Sequence, residues 1–264
     1  MALRIVIHGA AGRMGRRLVA LASADPKLKV VGALESAGHP EQGRDAGMLA
    51  GIGDIGVPIA TDWQGPVDAV IDFSVPAASM TLLAKCVDRS TRLVLATTGF
   101  NDDEQQTIRD AAQRIPLCWA PSMSLTVNLA MKLCEIAGRA LAEHPTGADV
   151  EIVERHHRFK EDAPSGTALA FGRIIADAMG QSQHVHGREG RPGSRPHDEI
   201  GYHAVRAGDN PGEHTIIFGL LGETLELRVA ATSRDCYAHG ALVAASWLSQ
   251  QPAGLYNMQD VLGL

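Results

Sequence analysis

Short apolar runs rich in β-branched residues alternate with segments of helical periodicity along the first 125 residues. The clearest pair is the run LRIVIH at residues 3–8, followed by residues 12–26, whose apolar positions recur at helical spacing. Later strands are predicted at 28–35, 68–74 and 92–99, a short strand with its exit at 116–124, and later helices at 76–90 and 101–115. Parallel strands need such crossover helices, so the pattern predicts an α/β domain with a doubly wound parallel sheet of Rossmann type.

Residues 36–66 interrupt the alternation with many glycines and no sustained periodicity, which predicts a loop region with one helical turn. After residue 125 the pattern changes: a long helix, a strand and a second helix are predicted at 125–144, 148–156 and 165–180. Three strand-like segments then follow one another at 199–208, 212–220 and 223–232. Consecutive strands favour antiparallel pairing, so the second domain is predicted as α+β with a mixed, largely antiparallel sheet.

A last helix at 237–251 is expected to return to the first domain. The predicted bounds are therefore residues 1–125 plus 236–264 for one domain and 126–235 for the other, with hinges near 122–126 and 233–238. We expect the two domains to close around their ligands.

Composition and charge argue against several classes of function. The net charge of −6 and the pI of about 6.0 give no electrostatic drive for non-specific nucleic-acid binding. No apolar stretch approaches the ~18 residues of a membrane span. The four cysteines form no C-x-x-C pair, which favours reduced thiols over disulfides or structural zinc. We therefore expect a soluble, cytoplasmic protein that binds neither nucleic acid nor membrane.

The turn GAAGRMG places Gly9, Gly12 and Gly15 between the first strand and the first helix. Such a turn suits a dinucleotide site, where glycines permit close approach to a pyrophosphate and the helix N-terminus offers free N–H groups. The strict G-x-G-x-x-G pattern is not met, because Ala10 stands where its first glycine would be, and glycines also serve as ordinary turn residues. Glu35, which lies 20 residues after Gly15 at the end of the second strand, could accept hydrogen bonds from the adenosine ribose.

The residue after Glu35 is Ser36, so no cation adjacent in sequence could hold a 2′-phosphate. This favours NADH over NADPH as the cofactor, although Arg13, Arg16 or Arg17 could supply the missing charge.

The stretch ERHHRFKEDAPSGTAL at 154–169 gathers titratable and cationic side chains just before a predicted helix. The N–H groups of Gly166 and Thr167 should be free to bind an anion at the helix start. Lys160 adds a positive charge, and the pair His156 and His157 can donate or shuttle protons near neutral pH. Together these groups suit a small substrate that carries carboxylates.

Other interpretations of this stretch remain open. The histidines could belong to a solvated loop, and Ser165 could serve only as a helix cap. A metal site of Glu154, His156 and Asp162 is not predicted, because adjacent histidines point in different directions and no known ligand spacing is present. A nucleophilic Ser165 is not predicted either, since the G-x-S-x-G pattern is missing.

The same stretch resembles the signature E-x-H-H-x-x-K-x-D-x-P-S-G-T-A of the dihydrodipicolinate reductase family, also called 4-hydroxy-tetrahydrodipicolinate reductases, of the diaminopimelate–lysine pathway. It stands intact here as Glu154, His156, His157, Lys160, Asp162, Pro164, Ser165, Gly166, Thr167 and Ala168. The resemblance extends to the segments GAAGRMGR near the start, ATTGF at 96–100, VRAGDNPGEHT at 205–215 and SR at 233–234.

The resemblance implies NADH- or NADPH-dependent reduction of 4-hydroxy-tetrahydrodipicolinate to tetrahydrodipicolinate, in a cytoplasmic homotetramer built through the second-domain sheets. By position, His156 would be the proton donor and acceptor, Lys160 a second proton donor and anion partner, and His157, Gly166 and Thr167 would hold the substrate carboxylates. The implied cofactor contacts are Gly9, Ala10, Ala11, Gly12, Arg13, Met14, Glu35, Ala96, Thr97, Thr98, Gly99, Ala120, Pro121, Ser122 and Met123.

Two departures concern the cofactor. Some family members carry arginine after the strand-two glutamate and in the loop after the third strand, where this chain has Ser36 and Val75. Both weaken the expectation of tight NADPH binding. The competing classes are a binding protein that senses the cofactor without turnover, and an aspartate-semialdehyde or homoserine type of dehydrogenase. The latter would need a catalytic cysteine or a different lysine arrangement, and none of the four cysteines stands in a matching context.

Overall fold

A computed structural model describes residues 1–145 and 147–264. The chain divides into two compact units, Met1–Leu125 with Asp235–Leu264 (unit 1) and Thr126–Arg234 (unit 2). Among the helices of the described residues, none combines the length and the hydropathy that a membrane crossing would require.

The elements up to the end of unit 1's first segment are β1 (Leu3–His8), α1 (Arg13–Ala24), β2 (Leu28–Leu34), α2 (Ala46–Ala50), β3 (Ile59–Ala60), β4 (Ala69–Asp72), α3 (Pro76–Asp88), β5 (Arg92–Leu95), α4 (Asp102–Ala112) and β6 (Pro116–Trp119). They continue with α5 (Leu125–Leu141), β7 (Asp149–His156), α6 (Gly166–Met179), β8 (Gln183–His186), β9 (Glu199–Arg206), β10 (Glu213–Leu220) and β11 (Glu223–Ala230). The last elements are α7 (Asp235–Leu248), β12 (Gly254–Tyr256) and α8 (Met258–Leu262).

Unit 1 contains a parallel sheet of seven strands in the order β12-β6-β5-β4-β1-β2-β3. The central strand β1 is buried on both faces: Ile5 and Ile7 pack into one apolar cluster and Val6 into another. Such burial explains the continuous apolar runs of the sequence, because helices cover both faces of a parallel sheet. The predicted doubly wound α/β fold is confirmed.

The prediction of a loop with one helical turn at 36–66 was incomplete. The segment contains the short helix α2 and the two-residue strand β3, which pairs Ile59 with Ala33 of β2. The strand predicted at 92–99 is also shorter than expected, since it ends at Leu95, whereas the short strand predicted within 116–124 spans Pro116–Trp119. After β5 and after β6 the chain leaves the sheet at its carboxyl edge, and the residues that follow form loops.

Unit 2 contains a mixed sheet of five strands in the order β11-β10-β7-β9-β8. Strand β10 runs antiparallel to both β11 and β7, whereas β9 runs parallel to β7 and to β8. The consecutive strands β9 and β10 are therefore not neighbours, contrary to the simplest reading of three strands in a row. The helix α6 lies between β7 and the β8–β9 pair in the chain, as a parallel crossover requires. Side chains of α5, α6 and the sheet form one apolar core that includes Met131, Ile152, Phe171 and Phe218.

Candidate active site

The glycine turn after β1 has a geometry that only glycines allow. A Cβ atom on Gly15 would lie 2.1 Å from the carbonyl oxygen of Gly9, and one on Gly9 (φ +77°) would lie 2.4 Å from that of Phe73. Gly12 is the N-cap of α1 and provides no side-chain hydrogen bond to the first turn. The backbone therefore packs closely while the N-terminus of α1 remains without a side-chain cap, which fits the pyrophosphate of a dinucleotide.

Glu35 follows β2 directly, and its Oε1 atom accepts a hydrogen bond of 3.0 Å from the amide of Ala11 in the glycine turn. The carboxylate lines a cavity of about 550 Å³ within unit 1. That cavity is also lined by His8, Gly9, Gly12, Leu34, Ser36, Ala37, Thr61, Phe73, Ser74, Val75, Ala78, Thr81, Leu82 and Lys85. Its volume and its acidic residue fit the adenosine part of a dinucleotide.

A second cavity of unit 1, of about 410 Å³, also borders the glycine turn. It is lined by Gly12, Arg13, Met14, Phe73, Ser74, Val75, Pro76, Ala96, Thr97 and Thr98. Eight of the fifteen predicted cofactor contacts therefore line one of the two cavities. They are Gly9, Gly12, Arg13, Met14, Glu35, Ala96, Thr97 and Thr98.

The remaining predicted cofactor residues do not line these two cavities. Ala10, Ala120 and Met123 are at most 2% exposed and pack into the apolar core. Ala11, Gly99, Pro121 and Ser122 lie in the neighbouring loops. A cofactor role for these seven residues stays a prediction, and for the buried ones it would have to involve backbone atoms.

A buried carboxylate that the sequence analysis missed organises the carboxyl edge of this sheet. Asp72 is fully buried at the end of β4, beside His8 in the strand register. Its carboxylate accepts hydrogen bonds from Nδ1 of His8 at 2.7 Å, from Oγ1 of Thr97 at 2.9 Å and from Oγ of Ser79. Thr97 in turn accepts a hydrogen bond of 3.1 Å from the amide of Ser74. Asp72 therefore holds the loops after β4 and β5 in place. The signal in the sequence is an acid that ends the apolar run AVID.

In unit 2, the predicted proton donor His156 belongs to a buried ionic cluster at the end of β7. Its Nδ1 atom lies 2.5 Å from Oε2 of Glu154, whose side chain is fully buried. Arg206 of β9 binds the same carboxylate with both terminal nitrogens, at 2.8 and 2.7 Å. Because a carboxylate can only accept, Nδ1 of His156 carries a proton and Nε2 is left for other partners.

The environment shifts the pKa values of both groups downwards. Burial lowers the pKa of His156, hydrogen bonding and attraction to Glu154 oppose this shift, and the charges of Lys160 and Arg206 add to it. Burial acts to raise the pKa of Glu154, but hydrogen bonds from Arg206 and His156 outweigh burial and hold the pKa below its ordinary value. The pair therefore consists of an ionised carboxylate and an imidazole that releases its second proton readily.

Ser165 caps α6 and joins the helix to this cluster. Its Oγ atom accepts a hydrogen bond of 3.2 Å from the amide of Ala168, and its own amide donates to Oε1 of Glu154 at 3.0 Å. The hydroxyl lies 3.1 Å from Nε2 of His214, whose pKa burial lowers to about 4. His214 is thus neutral near pH 7, and its Nε2 atom shares this hydrogen bond with the hydroxyl of Ser165. These contacts show the helix-cap role that the sequence left open.

The amides of Gly166 and Thr167, at the first two positions of α6, have no hydrogen-bond acceptor among the residues that the structure describes. The space around Gly166 is open, since a Cβ there would meet no atom within 4 Å. Nearby, Nδ1 of His157 is buried without a partner in the described part of the chain. Lys160 places its Nζ atom 2.7 Å from Oδ1 of Asp162, and its amide donates to the carbonyl of His157. The signature thus combines unpaired donors with a lysine ammonium group, which suits carboxylate binding.

Comparison with known proteins identifies the family of the whole chain. The family model described as "Dihydrodipicolinate reductase, N-terminus" matches residues 3–123, and the one described as "Dihydrodipicolinate reductase, C-terminus" matches residues 126–262. A "4-hydroxy-tetrahydrodipicolinate reductase" of Rhodopirellula baltica is 55% identical over 270 residues, covering 99% of this chain and 96% of the relative. One of the same name from Methylococcus capsulatus is 46% identical over 270 residues, covering 100% of this chain and 99% of the relative.

A dipicolinate-bound dihydrodipicolinate reductase from Paenisporosarcina sp. TG-14 has a similar structure, with a TM-score of 0.77 and 23% identity over 98% of this chain and 99% of that chain. At this identity the likeness concerns the fold alone. The two family models together span nearly all of the sequence, and the full-length relatives share about half of its residues. The chain belongs to the dihydrodipicolinate reductase family.

Proposed function

We propose that the protein catalyses the NAD(P)H-dependent reduction of 4-hydroxy-tetrahydrodipicolinate to tetrahydrodipicolinate in the diaminopimelate route of lysine biosynthesis. Relatives of that name at 55% and 46% identity support the reaction. The observation that carries the proposal is the grouping in unit 2 of two unpaired helix amides, a lysine and a carboxylate-bound histidine. A dicarboxylic imine needs anion binding and a proton source, and these residues provide both.

Unit 1 would hold the nicotinamide cofactor, which supplies the hydride when bound. The turn from Gly9 to Met14 binds its pyrophosphate and Glu35 its adenosine ribose hydroxyls. Ala96, Thr97, Thr98 and Gly99 flank the nicotinamide, and the segment from Ala120 to Met123 completes that side. We favour NADH, because the carboxylate of Glu35 accepts ribose hydroxyls more readily than it tolerates a phosphate.

The substrate carboxylates would bind the amides of Gly166 and Thr167 and the imidazole of His157. A helix N-terminus stabilises a carboxylate both by its free N–H groups and by its dipole. Lys160 reaches the second carboxylate by leaving Asp162, which is itself well exposed with a side chain at 61%. This arrangement fixes the orientation of the ring before the reaction.

His156 would supply the proton. The overall change adds one hydride and one proton and releases one water, so the site must deliver a proton to the substrate. Glu154 keeps the Nδ1 proton in place, so the imidazolium can lose only its Nε2 proton to a substrate. The lowered pKa of His156 makes this transfer easier, and Lys160 serves as a second donor.

We further propose that the protein assembles as a homotetramer through the sheets of unit 2 and that it works in the cytoplasm. Strand β11 is an edge strand that exposes 41% of Leu225, and Leu221 in the preceding turn is 84% exposed. An edge of this kind favours pairing with another chain. All four cysteines are unpaired, which agrees with a reducing compartment. Light scattering during gel filtration would test the assembly.

The decisive assay follows the loss of reduced-cofactor absorbance, with NADH and NADPH in separate reactions and with substrate formed in situ from pyruvate and aspartate semialdehyde. His156→Gln should lower kcat at least about tenfold with the fold intact. His186→Gln, on strand β8 of the same unit, is the matched control and should retain wild-type rates. Absence of substrate-dependent oxidation with either cofactor would refute the proposed reaction, and an unchanged kcat for His156→Gln would exclude this residue from it.

A further inference from the structure

We propose that Lys85 recognises the 2′-phosphate of NADPH at the adenosine end of the site. This inference rests on the dinucleotide site proposed above for unit 1. The sequence offers no cation next to Glu35, because Ser36 follows it, and the fold supplies one from a helix about fifty residues further along the chain.

Lys85 stands on the wall of the adenosine cavity that α3 forms. The residues of α3 that line the cavity are Ala78, Thr81, Leu82 and Lys85, which are spaced as one helix face. The facing wall consists of the segment after β2, from Glu35 to Ala37, together with Thr61 after β3. Lys85 is therefore directed to the same cavity as the carboxylate that would bind the ribose.

The position of the ammonium group follows from its contacts. Nζ of Lys85 donates to the carbonyl oxygen of Thr61 at 3.2 Å and lies 3.6 Å from Oδ1 of Asp62. Leu34 pairs with Ala60 in the sheet, so Thr61 follows β3 at the level where Glu35 follows β2. The amide of Glu35 donates to the carbonyl of Ala60 at 2.9 Å. Neighbouring strands lie roughly 4.8 Å apart. The ammonium group and the Glu35 segment thus meet at the same edge of the sheet, within reach of one ribose.

Among the described residues that line this cavity, Lys85 is the only lysine or arginine. The other candidates from the sequence are placed elsewhere: Arg17 forms two hydrogen bonds with Asp235, and Nε of Arg16 binds the carbonyl of Ala11. Arg13 lines the second cavity rather than this one. A phosphate on the ribose would consequently find its positive partner in Lys85.

Lys85 can turn towards a phosphate by giving up its hydrogen bond to the Thr61 carbonyl, because its acidic neighbour Asp62 has another partner. Asp62 binds Arg89 at 2.6 Å, a much closer contact than its 3.6 Å approach to Lys85. The Lys85 side chain is 35% exposed, so its four-carbon stem can reorient at little cost. Glu35 repels a phosphate, and Lys85 compensates for that repulsion.

Calorimetric titration with 2′,5′-ADP and with 5′-AMP tests the inference without turnover. Lys85→Met should weaken 2′,5′-ADP binding at least about tenfold and leave 5′-AMP within about twofold, since only the former carries the extra phosphate. Lys85→Arg should restore most of the 2′,5′-ADP affinity. Lys29→Met, an exposed lysine on β2, is the matched control and should bind both nucleotides as the wild type does.

The kinetic counterpart is a rise in the KM for NADPH in Lys85→Met with an unchanged KM for NADH. Equal affinities of Lys85→Met and wild type for 2′,5′-ADP would overturn the inference, as would a wild type that binds 5′-AMP but not 2′,5′-ADP. Binding of neither nucleotide by the wild type would overturn the dinucleotide site itself. If the wild type binds nucleotide but does not oxidise NADH or NADPH with the substrate, the proposed reaction is refuted. The titrations would still decide whether Lys85 binds the 2′-phosphate.

Discussion

Replacing Glu154 by glutamine removes one negative charge while it leaves the size and shape of the side chain nearly unchanged. The carboxylate accepts four hydrogen bonds, two from Arg206 and one each from His156 and the amide of Ser165. An amide has only one oxygen, so at least two of these donors would face an NH₂ group instead of an acceptor. The substitution also leaves Arg206 without its counter-charge.

Removing one partner of a buried ion pair typically costs about 3–5 kcal/mol, because the other charge stays buried and unpaired. Arg206 retains some exposure at 18% of its side chain, so we expect the lower value of about 3 kcal/mol. For a chain of this size such a loss lowers Tm by about 6–12 °C. Since Glu154 acts to raise the pKa of His156 against the effect of burial, its neutralisation should lower that pKa further.

The pH dependence of kcat and a thermal melt together measure both effects. In Glu154→Gln, the limb of the profile that requires protonated His156 should move to lower pH, and kcat near neutral pH should fall at least about tenfold. Glu213→Gln is the matched control, because Glu213 pairs with Arg155 and Arg228, which are both at least half exposed. A Glu154→Gln enzyme with the wild-type pH profile and Tm would show that the carboxylate neither tunes His156 nor balances Arg206.

Three further outcomes follow from other contacts. Burial holds the pKa of His214 at about 4, below its ordinary 6.5, so its neutral form stabilises the fold above about pH 6.5 and this contribution disappears as the pH falls towards 4. Urea unfolding at pH 7 and pH 4 should therefore show the wild type losing about 3 kcal/mol more than His214→Gln; equal losses would contradict the assignment. Gly15→Ala should lower Tm and abolish NADH binding by calorimetry, because its Cβ would lie 2.1 Å from a carbonyl oxygen, whereas Gly38→Ala, in open space, should do neither. Lys160→Ala should lower kcat and raise the substrate KM in steady-state assays. Wild-type values of both constants would show that Lys160 takes no part in catalysis or substrate binding.

The long elements of the fold could be predicted from sequence because their burial leaves a periodic signal. β1 and α1 are examples, since one is an unbroken apolar run and the other repeats its apolar residues at helical spacing. The strands β3 and β12 have two and three residues, too few to show a period, and β8 (QHVH) is mostly exposed and lacks the buried apolar run that marked β4, β5 and β6. Their pairing depends on neighbours that the rest of the fold has already placed, as Ile59 depends on Ala33.

The residues of the candidate site also fall into those that the sequence could predict and those that it could not. His156, Lys160 and Gly166 lie within eleven consecutive positions, so a single signature identified them. Arg206 is 52 residues from the Glu154 that it binds, and His214 is 49 residues from Ser165, so no local pattern assigns them a role. Lys85 shows the limit most clearly: a search for a cation beside Glu35 in sequence could not find one that α3 brings near in space.

Unit 1 is assembled from two separated stretches of chain, which has a consequence for biosynthesis. Ala241 and Leu248 of α7 belong to the same core as Ile5 and Leu18 of the first βα pair, although more than two hundred residues separate them. A ribosome delivers the start of the chain first, at about 5–20 residues per second. The first half of the nascent chain therefore exposes apolar surface for at least about ten seconds, until α7 has been synthesised. Unit 2 is continuous in sequence, so it can fold as it emerges from the ribosome. The N-terminal portion is the part for which we expect chaperone contact during translation.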